Sequence, residues 1–132
     1  GRAFYQLKKG GYIIKRKIAG EDKYFLSAKA LEKILKLKIQ RKMRQKVGQL
    51  KGKYLVVIFD IPEEIRFLRD RFRESLKNLK FEKLQQSVWV TSLNFLPEVY
   101  SLIKLYKLEK YVKLMLAEKL DRELIKKFIQ NI

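Results

Sequence analysis

Tyr54 to Phe59 is an unbroken apolar run, rich in β-branched and aromatic residues, closed by Asp60 and Pro62. Such a run predicts a strand buried on both faces at the centre of a sheet. Pro62 cannot donate to a ladder but suits the first turn of a helix, and Glu63 and Glu64 behind it favour the positive end of the helix dipole. Beyond them Ile65, Leu68, Phe72, Leu76 and Leu79 fall within one arc of roughly 80°, while Arg66, Arg69, Arg73, Lys77 and Lys80 fill the arc beside it. An amphipathic helix with a basic border is expected. Phe67 lies on neither arc and reads either as a contact with another body or as an isolated surface aromatic.

Phe81 to Thr91 holds two short strand patterns that meet at Gln85, Gln86 and Ser87, residues suited either to a bend or to a phosphate contact. Asn94 is the expected cap of a helix with Leu96, Val99, Ile103 and Tyr106 on one face and Pro97 in its first turn. From Tyr111 to Ala117 the pattern alternates, with Val112, Leu114 and Leu116 against Tyr111, Lys113 and Met115. A last amphipathic helix, Asp121 to Gln130, presents Leu124, Ile125 and Phe128. Strand, helix, strand, strand, helix, strand is the split βαβ plan, so the expected fold class is α+β with a ferredoxin-like domain over residues 53–132.

The first 52 residues follow a different pattern. A short helix over Arg2 to Lys9 carries Phe4 and Leu7, Tyr12 to Ile18 reads as a strand, Ala19 to Asp22 as a turn, and Lys23 to Leu26 as the returning strand. Ser27 is the expected N-cap of a helix from Ala28 to Lys46, with Ala30, Leu31, Ile34 and Leu35 as its early apolar face. Leu31, Leu35, Ile39, Met43 and Val47 recur every fourth residue, and that spacing makes the apolar stripe wrap around the helix.

Charge separates the two parts. The chain has 132 residues and a net charge of +18, from 32 Lys and Arg against 14 Asp and Glu. Residues 1–28 carry a net +5, residues 29–53 a net +9 and residues 54–132 only +4. A surplus of this size in a folded chain points to a polyanionic partner. Cys and His are absent, which removes disulfides, zinc sites, thiol nucleophiles and histidine bases. With no apolar run of membrane-spanning length and no secretory leader, a cytoplasmic protein with no membrane partner is expected.

Residues 2–26 resemble the last third of a winged helix-turn-helix domain. The likeness rests on Leu7-Lys8-Lys9-Gly10-Gly11-Tyr12-Ile13 closing a helix, a basic hairpin, and Ser27-Ala28-Lys29-Ala30-Leu31-Glu32 after it. It implies the end of a recognition helix and a wing over residues 1–27, joined by a long basic connecting helix over residues 28–52. The second part, with Tyr54 to Phe59, Asp60-Ile61-Pro62-Glu63, the Arg-rich helix and Leu84-Gln85-Gln86-Ser87-Val88-Trp89, resembles the CRISPR-associated adaptation protein of the Cas-two type. It resembles still more closely the ferredoxin-like domain of the phenylacetic-acid catabolism repressor (PaaX) family, whose members join a winged helix to such a domain through a connector.

The resemblance implies a homodimeric, DNA-binding regulator of the repressor type, of which this chain is a fragment. Duplex DNA is the expected partner and no cofactor is needed. Candidate nucleic-acid contacts are Lys15, Arg16, Lys17 and Lys23 on the wing, Lys38, Arg41, Lys42, Arg44 and Lys46 on the connector, and Arg66, Arg69 and Arg73 on the helix after Pro62. The alternative is a metal-dependent endonuclease or adaptation protein of the Cas-two type. In that case Asp60, paired with its symmetry mate, is the candidate catalytic residue and ligand of Mg or Mn. Asp60 can equally serve the local turn ahead of the helix. A third reading, an RNA-binding basic protein, differs in preferring RNA to duplex DNA. Trp89 is expected in the core.

Overall fold

In the computed structural model, residues 1–118 and Glu123 are described. The expected helix from Asp121 to Gln130 lies outside the described residues. The chain divides into two units, Gly1–Arg44 and Gln45–Ile132. Both are α+β, and both sheets are antiparallel.

In the second unit the apolar run becomes β3 (Lys53–Phe59), the inner strand of a four-stranded sheet. β4 (Glu82–Gln85), β5 (Val88–Thr91) and β6 (Val112–Glu118) complete it in the order β4-β5-β3-β6. The two strands beside β3 thus come from later in the chain, which is compatible with a ferredoxin-like fold. Val57 pairs with Trp89 on one side and Leu114 on the other, fixing which residues share a face. Leu55, Val57 and Phe59 point one way and are buried together with Trp89. Their cover comes from α3 (Arg66–Asn78) and α4 (Leu96–Leu105), through Phe72, Leu76, Val99, Leu102 and Ile103. Phe59 and Phe72 meet edge to face, with ring centroids 5.4 Å apart.

The opposite face is apolar as well. Val56, Val88 and Val90 cluster there with Tyr54, Leu84 and Ala117. Towards the β6 edge burial fails, on this face at Ile58 (37% exposed) and Met115 (50%), and on the helix-covered face at Leu116 (51%). The alternation along β6 is as the pattern predicts, but an edge strand has a neighbour on one side only, so Leu116 stays open although its inner partner Leu55 is fully buried.

Two details differ from the sequence reading. A 3-10 turn, Glu63–Ile65, separates Pro62 from α3. The N-cap of α4 is the buried Phe95, with no side-chain cap; Asn94 stands outside the helix and its amide donates to the Gly48 carbonyl at 2.9 Å. Pro97 does sit in the first turn of α4.

The first unit holds α1 (Arg2–Lys9), the hairpin β1 (Ile13–Ile18) and β2 (Glu21–Leu26), and α2 (Ala28–Arg44). The hairpin turn is Ala19-Gly20 alone, because both residues take positive φ (53° and 80°) and that pair closes a two-residue loop with the twist of the strands. Glu21 and Asp22 therefore belong to β2, facing Ile18 and Lys17. Ser27 caps α2 as expected, its Oγ accepting from the Ala30 amide at 3.1 Å. α2 stops at Arg44, two residues short of the expected end, and buries Ala30 and Leu35, while Leu31 and Ile34 are exposed.

Candidate nucleic-acid interface

Alternation along the hairpin divides its cations between two faces. Arg16 stands opposite Lys23, and both lie on one face; Lys15 and Lys17 lie on the other, opposite Tyr24 and Asp22. Lys15 approaches Asp22 at 3.4 Å and Lys23 approaches Glu21 at 3.4 Å. Exposed pairs of this kind are worth about 0–1 kcal/mol, so they yield readily to a phosphate. Arg16 and Lys17 make no ion pair among the described residues.

On α2, Lys38, Arg41 and Lys42 fall within an arc of roughly 100°, with Arg44 a further 60° or so around. Lys46 lies past the helix end. Earlier in α2 the charges are engaged locally. Lys29 Nζ donates to the Gly10 carbonyl at 2.8 Å and sits 4.7 Å from the centre of the Tyr12 ring, and Lys36 pairs with Glu32 at 3.3 Å. The remaining cations of α2 are thus gathered towards its carboxyl end, where the helix dipole also favours positive charge.

The arginines after Pro62 behave differently. Glu63 accepts from Arg69 Nη1 at 3.0 Å and from Arg66 Nη1 at 3.4 Å. The hydrogen bond from Arg69, its charge, and then the smaller contribution of Arg66 hold the Glu63 carboxyl below the usual carboxylate range. A depressed carboxyl favours the folded state above its unfolded pKa, and that contribution is lost as pH falls through the folded value. In an NMR titration Glu63 is expected to titrate below the usual carboxylate range, and Arg69→Gln to return it towards that range. An unchanged Glu63 in that variant would rule the pairing out.

Arg69 Nε is buried without a hydrogen bond, with the Asp70 carboxylate 3.6 Å away, and the same carboxylate lies 3.9 Å from Arg73 Nη1. Arg73 Nε donates to the Gln86 carbonyl at 3.1 Å, and its guanidinium lies 5.7 Å from the Phe59 ring centre. The same carbonyl accepts from Trp89 Nε1 at 3.1 Å. Gln86 and Ser87 form the β4–β5 turn, and the Ser87 carbonyl accepts from the Phe59 amide at 3.0 Å. These bonds bring together residues that lie far apart in sequence. Phe59, Asp60, Ile61, Arg69, Arg73 and Ser87 line one cleft of about 180 Å³ at the carboxyl end of β3.

Asp60 is exposed in this cleft, and its carboxylate makes neither a hydrogen bond nor an ion pair among the described residues. A hard divalent ion asks for several oxygen ligands. No three acidic side chains cluster among the described residues, and the charged neighbours of Asp60 in the cleft are guanidinium groups. The donor set of one chain does not fit a divalent metal ion. The spacing of Arg69 and Arg73, four residues apart on one helix face, signals their pairing in the sequence. Ser87, one of the three residues suited to a bend or to a phosphate contact, is delivered to the cleft by the pairing of β5 with β3.

Comparison with protein families places the second unit. The model of the PaaX protein central Cas2-like domain matches residues 47–128. The chain belongs to the PaaX family. The PaaX match takes in all four strands of the larger sheet and the helices α3 and α4 that cover it. Residues 1–46, with a net +12 of the chain's +18, precede it. No curated protein and no solved structure gave a match. Among the described residues, no helix is long and apolar enough to cross a membrane.

Proposed function

We propose that this PaaX-family chain is part of a DNA-binding transcriptional regulator of the repressor type. The observation that carries the reading is the division of charge: a net +12 of the chain's +18 lies in residues 1–46, ahead of the family's central domain. In this reading α1 is the end of a recognition helix, β1–β2 is the wing of a winged helix, and α2 is the connector. Arg16, Lys17 and Lys23 of the wing and Lys38, Arg41, Lys42, Arg44 and Lys46 of the connector meet phosphates, with Lys15 exchanging Asp22 for one. The arginines of α3 contribute less, because Arg66 and Arg69 already answer Glu63. Neutralising phosphates releases counterions and gives affinity without reading the sequence.

The ferredoxin-like domain pairs two copies of the chain. Supporting this, Ile58, Met115 and Leu116 leave apolar surface open along β6 and the strand beside it. A dimer sets the spacing of two DNA-binding heads, which in turn favours paired half-sites. The protein works in the cytoplasm and needs no cofactor. The test is fluorescence anisotropy with a labelled duplex and a single-stranded RNA of equal length at one salt concentration. Tighter binding of the duplex is expected; a preference for RNA would replace the regulator with an RNA-binding protein.

A further inference from the structure

The cleft at the end of β3 is not part of the basic surface on the first unit, and its chemistry is more selective than charge alone. Among the described residues, Arg69 gives Nη1 to Glu63, holds its buried Nε 3.6 Å from Asp70 Oδ1 without a hydrogen bond, and keeps Nη2 unbonded. Arg73 gives Nε to Gln86 and, with Nη1 3.9 Å from Asp70 Oδ1, makes no hydrogen bond through either Nη among the described residues, where the Ser87 hydroxyl is likewise unbonded. Two guanidinium forks and a hydroxyl supply donors in different directions, as a tetrahedral oxyanion requires and a planar carboxylate does not. The backbone beneath them is fixed. The Asp60 amide donates to the Tyr111 carbonyl at 2.9 Å and the Phe59 amide to the Ser87 carbonyl at 3.0 Å.

Asp60 decides which oxyanion fits. An ionised carboxylate is an acceptor only, so a ligand oxygen beside it must carry a proton. Sulfate is fully ionised at neutral pH, and so is the phosphodiester of a nucleic-acid backbone. Free phosphate keeps at least one P–OH, and a monoester keeps one in its singly charged form, near or below its second pKa of about 6. We infer that the cleft lined by Asp60, Arg69, Arg73 and Ser87 binds a protonated phosphate group, with the arginines and Ser87 donating to its oxygens and its P–OH donating to Asp60. The Asp60 carboxylate then selects against sulfate and against nucleic-acid backbone. The volume of about 180 Å³ has room for a group of a few heavy atoms. This site stands independently of DNA binding by the first unit.

The test follows the amide signals of Asp60 and Ser87 by NMR during titration of the full chain, at constant ionic strength, with inorganic phosphate, sulfate or dimethyl phosphate. The last stands for the nucleic-acid phosphodiester. Phosphate is expected to bind about tenfold or more tightly than either of the others. Arg73→Lys, which keeps the charge but loses the fork, should weaken phosphate about tenfold. Asp60→Asn supplies an amide donor and should bring sulfate to within about threefold of phosphate. Equal binding of phosphate and sulfate by the unaltered chain, or no response of either amide to phosphate, overturns the assignment. Equal binding of dimethyl phosphate also overturns it and makes the cleft a backbone contact. Each variant's amide spectrum reports directly whether its fold is kept. Should Arg73→Lys not fold, Ser87→Ala takes its place, and unchanged phosphate affinity in that variant counts against the site.

Discussion

Duplex DNA binding falls by about a thousandfold or more as salt rises from roughly 50 to 200 mM, the largest effect expected from the charge on the first unit. The size follows from the number of phosphates met. Arg16 and Lys17 carry no competing ion pair among the described residues, and Lys38, Arg41, Lys42 and Arg44 gather on the carboxyl half of α2. Neutralising phosphates with about six such groups gives a slope of log affinity against log salt near −5. Lys15 and Lys23 must first part from Asp22 and Glu21, but those exposed pairs offer little resistance. Arg16→Ala with Lys17→Ala is expected to reduce the slope by about 2, roughly one unit for each phosphate that no longer meets a cation. Anisotropy titrations across a salt series measure both, and a flat salt dependence would remove the electrostatic mechanism.

Phe72→Ala destabilises the second unit by about 3–5 kcal/mol, the cost of emptying a fully buried aromatic site. Phe72 has no exposed surface, and its ring meets Phe59 edge to face at 5.4 Å, so the substitution leaves a void against the inner strand of the sheet. Domains are stable by about 5–15 kcal/mol, so a loss of this size takes a large share of the total. Urea unfolding followed by Trp89 fluorescence measures it, because Trp89 is the chain's single tryptophan and is buried on the same face of the sheet. A cost below about 1 kcal/mol would mean that α3 does not supply the core of this unit.

Elements whose signal is local and repeated are legible in the sequence. The run Tyr54 to Phe59 does specify the inner strand, and Ser27 does specify the start of α2, because burial on both faces and an N-cap each leave a direct mark on residue type. The hairpin turn is shorter than its composition suggests. Glu21 and Asp22 are turn-type residues, yet Ala19 and Gly20 alone provide the two positive φ values that close the loop. Asn94 resembles a cap for the same compositional reason, but Phe95 occupies that position and is buried.

The exposure of Leu31 and Ile34 is not legible either, because which side of α2 is covered depends on packing and not on spacing. Asp60, Arg69 and Arg73 stand out as single residues. Their meeting with Ser87 depends on strand order, and a pattern along the chain does not carry strand order.

The regulator reading is tested most directly by incubating end-labelled duplex DNA and single-stranded RNA with the protein in Mn and in EDTA, beside Asp60→Ala, and resolving binding and cleavage on gels. Expected is a shifted, uncut duplex in both buffers, unchanged by Asp60→Ala. Cleavage that needs both Mn and Asp60 would contradict it and make the second unit a nuclease.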